Sequence, residues 1–135
     1  MSRKIPVAAM AAMLAMAIGC ASEESGSGNG ARGGAAEVTP AMLEQGAALY
    51  KSTCASCHGS TGKGDGPAAG ALRPPPRDHT DRAYMRTLSD KDIADIIKMG
   101  GAIKGKPQMP SHPQFKEDEL RALVAYVRSL SAPAQ

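Results

Sequence analysis

The 135-residue chain has no tryptophan, one phenylalanine and three tyrosines, so a core built from it alone is thinly supplied with large apolar side chains. Nothing alternates with period two for long enough to make a strand, which argues against a sheet architecture. The longest apolar run, Ile5 to Ile18, is 14 residues, short of the roughly 20 that a membrane-spanning helix needs. Like charges never gather into a run. From Thr39 onward 13 bases face 10 acids, and this scattered excess gives no footprint for nucleic acid. There is no Ser/His/Asp set, no Gly-rich phosphate loop before a helix and no carboxylate pair at a plausible cleft, so no small-molecule substrate is expected. Cysteine is scarce as well. Three residues, Cys20, Cys54 and Cys57, cannot make a disulfide framework, and an odd count asks for a reason for each.

The N-terminus supplies the reason for one. Arg3 and Lys4 precede the apolar run, which has the length and composition of a secretory signal core rather than of a span. The run closes on Ala17-Ile18-Gly19-Cys20, which resembles a lipoprotein signal with an acylated cysteine as first mature residue, although Ala17 stands where such signals usually have Leu. Ordinary cleavage after Ala15-Met16-Ala17 is the alternative. Ser22 to Glu37 holds five Gly, three Ser and no large apolar side chain, too little to offset the entropy of ordering, so a flexible tether is expected. Random-coil scaling gives it a reach of roughly 20–25 Å. The expected division is a signal peptide over 1–19, a lipidated Cys20 with linker over 20–38, and one folded domain over 39–135.

Within that domain the patterns are helical. Thr39-Pro40 is an N-cap followed by proline at the first position, predicting a helix to about Thr53. Ser89-Asp90-Lys91-Asp92 opens a second, with Ile93, Ile96 and Ile97 on one face and Gly100-Gly101 as its stop. A third, from about Lys116 to Ser131, buries Leu120, Leu123, Val124, Val127 and Leu130 and carries Glu117, Asp118 and Glu119 in its first turn, favourable to the helix dipole. A short helix around Asp81 to Thr87 is also expected. The stretches 59–80 and 102–115 read as irregular loops, long enough to imply that they bind something.

Cys54-Ala55-Ser56-Cys57-His58 is the C-x-x-C-H haem-attachment motif. Two thiols at this spacing can bond the two vinyl groups of one porphyrin, and the imidazole that follows then lies under the iron. A redox dithiol would need a strand and a βαβ context. A zinc half-site would need further paired ligands, and only His79 and His112 remain. A structural disulfide is the other reading of the pair. Haem c, one and covalent, with its iron, fits best. A buried porphyrin would supply the apolar area that the core lacks and order both loops.

From about Met42 to Leu130 the sequence resembles a class I cytochrome c, the small all-helical electron-carrier family. The family carries a Gly and, four residues on, an aromatic in its first helix, here Gly46 and Tyr50. It carries a Leu and, three residues on, an aromatic in its last helix, here Leu123 and Tyr126. The resemblance implies an all-α fold of helices and loops wrapped around one covalently bound haem, with these two helices crossing at the glycine. Gly66-Pro67 matches the family's Gly-Pro, whose Pro carbonyl accepts a hydrogen bond from the ligand His Nδ1–H, which assigns that role to Pro67 toward His58. Met109-Pro110 lies where the family places its sixth ligand, so the iron would be held by His58 and Met109. His112 is the alternative, with Met42, Met85 and Met99 worse placed. The family's propionate-binding Trp is absent, which leaves Arg73 and Arg77, in the stiff Pro74-Pro75-Pro76 loop, as candidate donors.

These readings favour electron transfer over a haem peroxidase, which needs an open coordination position and a distal acid–base group. The expected protein is an electron carrier rather than an enzyme, or the haem subunit of a larger oxidoreductase. It would work on the periplasmic side of a bacterial membrane, lipid-anchored, or soluble in the periplasm or outside if Cys20 is unmodified. Its partners would be redox proteins. Lys98, Lys104 and Lys106, with no acid among them, are expected to rim the exposed haem edge and steer an acidic partner.

Overall fold

Thr39 does what its place before Pro40 predicts: its Oγ1 accepts a hydrogen bond from the Met42 backbone N–H at 3.2 Å and caps helix α1, Pro40–Thr53. The computed structural model describes residues 37–133. The signal peptide, Cys20 and nearly all of the linker therefore lie outside the described residues. After α1 come α2 (Ala55–His58), α3 (Arg82–Met85), α4 (Asp90–Met99) and α5 (Glu117–Leu130), with single 3-10 turns at Ala69–Ala71 and Gly101–Lys104. No strand occurs among the described residues, and the fold is all-α.

The helix starts follow the sequence closely. Ser89 forms a reciprocal capping box with Asp92, each side chain accepting from the other's backbone N–H at 3.1 and 2.9 Å. The Ser89 hydroxyl, which also donates to the Asp92 carboxylate, and then the Ser89 N–H hold that carboxyl down at about 2. Gly100, at φ +86, stops α4 in a conformation that costs other residues strain. The short helix expected around Asp81 to Thr87 is one turn, capped by Asp81. The haem-attachment motif forms a helical turn of its own, α2, which the periodicity did not reveal because four residues carry too little pattern to read.

The core gathers Tyr50, Met85, Ile93, Ile97, Phe115, Leu120, Leu123, Val124 and Val127. α1 packs against α5 more extensively than any other pair of elements. The crossing is at Gly46, where an added Cβ would overlap the Ala122 carbonyl oxygen and stand 2.8 Å from Tyr126 Cβ. Over this contact the Tyr50 and Tyr126 rings meet at 5.2 Å between centroids, inclined at 56°. Arg128 ties the other face of α5 to the chain between α3 and α4. Its guanidinium donates to the Asp90 carboxylate at 2.7 Å, to the Met85 carbonyl at 2.6 Å and to the Leu88 carbonyl.

Because backbone faces backbone at the crossing, Gly46→Ala cannot be relieved by a rotamer change. It should cost about 1–3 kcal/mol, the range for an overpacked core. Gly70, at which an added Cβ meets nothing within 4 Å, is the control: Gly70→Ala should stay within about 0.5 kcal/mol of wild type. Guanidinium denaturation of the two holoprotein variants measures the difference.

Candidate haem site

The attachment motif hangs from the end of α1. The Cys54 backbone N–H donates to the Tyr50 carbonyl at 2.8 Å, and Cys57 and His58 donate back to the Cys54 carbonyl at 3.1 and 2.9 Å. This single turn brings residues three and four apart onto one side, so Cys54, Cys57 and His58 all line one cleft. Gly59, at φ +76, ends the turn. The following loop folds back under the motif, with Gly64 donating to the His58 carbonyl at 2.8 Å and Gly66 to the Cys57 carbonyl at 3.1 Å.

Gly66 is needed there because an added Cβ would meet the Ala55 carbonyl oxygen at 2.6 Å. Pro67, however, is exposed and off the cleft. The expectation that its carbonyl holds the ligand histidine is corrected: His58 Nδ1 lies 3.0 Å from the Arg77 carbonyl oxygen instead. The reason is the tight return of residues 59–66, which ties Gly66 to the outer carbonyls of the motif and carries Pro67 away. The proline-rich strap, residues 72–77, returns along the cleft and presents the acceptor. An acceptor carbonyl belongs to the backbone, so the side-chain sequence carries little signal of which residue offers it.

Apolar side chains make up much of the cleft wall, among them Met85, Ile93, Ile96, Ile97, Leu123 and Val127. Met109 and His112 both line it, as do Lys104 and Lys106, whereas Met42, Met99 and Lys98 do not. The lysines are less free than the sequence suggests. Lys104 pairs with Asp92 at 3.5 Å, and Lys106 Nζ donates to the Pro75 carbonyl at 3.0 Å.

One cleft residue was passed over by sequence reasoning. His79 stacks on His58 with ring centroids 4.2 Å apart and 17° between planes, and its Nδ1 lies 3.4 Å from the Tyr50 hydroxyl. Burial, then the neighbouring His58, push its pKa down to about 3. Burial likewise lowers the pKa of His58, against the opposing effect of its backbone hydrogen bond, and so favours the neutral imidazole that a metal requires. Burial pushes the Cys54 thiol up to about 11, with the nearby Cys57 adding to it.

A Cytochrome c family model matches residues 43–131, and the chain belongs to the cytochrome c family, as a class I c-type cytochrome. A search of curated proteins finds no match. The cofactor of the family is haem c, covalently bound and containing iron, and the residues present fit it. Cys54 and Cys57 are both free thiols at the cleft. Arg77 Nε is buried with no partner, while its guanidinium lies 3.7 Å over the Tyr84 ring centroid at the same cleft. A buried donor left unpaired is costly, and a propionate carboxylate is the acceptor that the haem would bring. Arg73 instead donates to the carbonyls of Gly70 and Leu72, so of the two candidate arginines Arg77 would face the propionates. Among the described residues no group of three His, Cys, Asp or Glu could hold a bare metal ion, which leaves the zinc reading without support.

Thioether attachment through Cys54 and Cys57 has a direct readout. Denatured protein extracted with acidified organic solvent should retain its haem colour, and colour passing to the organic phase would refute the attachment. His58→Ala should yield no stable holoprotein, measured as haem absorbance per protein.

Proposed function

We propose that this cytochrome carries electrons between redox proteins on the periplasmic side of a bacterial membrane, with His58 and Met109 as the axial ligands of its haem iron. The observation that carries the reading is that Met109 meets Cys54, Cys57 and His58 around one apolar cleft. When bound, the haem supplies a one-electron Fe(III)/Fe(II) couple.

The chain's own residues account for the rest. His58, kept neutral by burial and aimed by the Arg77 carbonyl, offers its other ring nitrogen to the metal. The thioether of Met109 is uncharged, which favours Fe(II) and raises the potential, as suits a carrier. Ile93, Ile97, Leu123 and Val127 keep water from the site. A methionine in the sixth position also leaves no open site for peroxide, which favours a carrier over a peroxidase. His112 has other employment: its backbone N–H donates to the Ile97 carbonyl at 3.0 Å and its ring packs against Phe115 at 5.8 Å. Partner proteins dock at the mouth of the cleft, beside Lys104.

The ferric protein should show the weak far-red absorption of a sulfur–iron bond. Met109→Ala should abolish it and open the ferrous iron to carbon monoxide, while His112→Ala should leave both properties unchanged. Retention of the band in Met109→Ala would overturn the ligand assignment.

Membrane attachment is proposed through acylated Cys20, with residues 22–37 as the tether. No helix among the described residues is long and apolar enough to cross a membrane. Mass spectrometry of the mature protein should show loss of Met1 to Gly19 and a gain of acyl chains, and Cys20→Ser should release soluble cytochrome. A chain beginning at Ile18 with an unmodified Cys20 would mean ordinary secretion.

A further inference from the structure

The loop that carries Met109 closes upon itself. Gly101 donates to the Met109 carbonyl at 3.1 Å, Lys106 to the Gly101 carbonyl at 2.9 Å, and Met109 to the Lys106 carbonyl at 3.1 Å. These bonds set the shape of the loop but not its place. Most of its residues between Ala102 and Gln108 are exposed, so little apolar contact holds it down. Three side-chain bonds join it to the rest of the chain. One is the half-exposed ion pair Lys104–Asp92, of a kind worth little in water. The other two reach the proline strap: Lys106 Nζ donates to the Pro75 carbonyl at 3.0 Å, and the Arg73 backbone N–H donates to Gln108 Oε1 at 2.6 Å.

The strap is suited to hold a neighbour in place. Pro74, Pro75 and Pro76 fix φ and carry no N–H, so the amide of Arg73 is the only backbone donor from 73 to 76, and it is given to Gln108. At its far end the strap holds His58 through the Arg77 carbonyl. One stiff segment therefore contacts both the histidine and the loop of the methionine.

We propose that Lys106 and Gln108 are positioning residues that latch the Met109 loop to the proline strap and keep the thioether on the iron against competing ligands. This rests on the reading of Met109 as sixth ligand. An outside ligand can bind only when the loop has released the iron, so its apparent affinity reports the fraction of molecules in the released state. Loss of either latch bond raises that fraction. A docking role for Lys106 would leave it unchanged.

The test is titration of the ferric holoprotein with imidazole, followed by loss of the far-red band. Gln108→Ala and Lys106→Met should each tighten apparent imidazole binding roughly fivefold, the effect of one net hydrogen bond. Gln108→Glu keeps an acceptor for the Arg73 amide and should stay within about twofold of wild type. Lys104→Met, which removes a bond that does not reach the strap, should behave as wild type. Equal affinities in wild type, Gln108→Ala and Lys106→Met would overturn the latch and leave the ligation standing. A wild-type spectrum with no far-red band would overturn the ligation, and the latch with it.

Discussion

The approach of α1 to α5 at Gly46 is the constraint on which the haem site depends. With no Cβ at that position, the backbone of α1 lies directly on the Ala122 carbonyl of α5. Two consequences meet at the cleft. The end of α1 is fixed, and the Cys54-Cys57-His58 turn is continuous with it through the bond from the Cys54 N–H to the Tyr50 carbonyl. The inner face of α5 is fixed as well, and Leu123 and Val127 become cleft wall. Tyr50, only 1% exposed, belongs to both: its ring packs on Tyr126 at the crossing and its hydroxyl reaches His79 beside His58. The helix crossing and the wall of the cleft thus share a side chain.

How much could be read in advance follows from which groups carry the information. Helix starts were legible because caps are side-chain chemistry: Thr39 and Ser89 announce themselves by type and spacing. The attachment motif was legible for the same reason, and the aromatic pair at the crossing through the resemblance to class I cytochromes c. What stayed hidden was backbone and long-range. The acceptor for His58 is the carbonyl of Arg77, 19 residues away, at a position that no side chain advertises. His79 read as a spare histidine because its stacking on His58 depends on how the strap returns. The lysines read as free because the partners of Lys104 and Lys106 come from α4 and from the strap, 12 and 31 residues distant. Arg128, which no motif singles out, serves the carbonyls of Met85 and Leu88 and the carboxylate of Asp90, about 40 residues away.

The irregular half of the domain is therefore organised by polar bonds, as the helical half is by apolar packing. Its two long loops have few apolar contacts of their own and carry most of the domain's glycine and proline. Prolines in the strap lower the entropy lost on ordering it, and glycines at positions 59, 64 and 105 let the chain turn at positive φ without strain. A haem between such loops would supply what they lack, a rigid apolar body to order against and carboxylates for a buried guanidinium. Those carboxylates would pair the Arg77 Nε, the one buried side-chain polar atom among the described residues without a partner.

At His58 two influences with opposite effects on protonation serve one end. Burial lowers its pKa, while the hydrogen bond to Arg77 on its own would raise it, since a carbonyl acceptor also favours the imidazolium. Burial prevails, which favours the neutral ring. The carbonyl then decides something burial cannot, because an acceptor at Nδ1 requires the proton to sit there, which leaves Nε2 with its lone pair. Burial selects the charge state and the strap selects the tautomer, and only their combination presents a bare nitrogen to a metal.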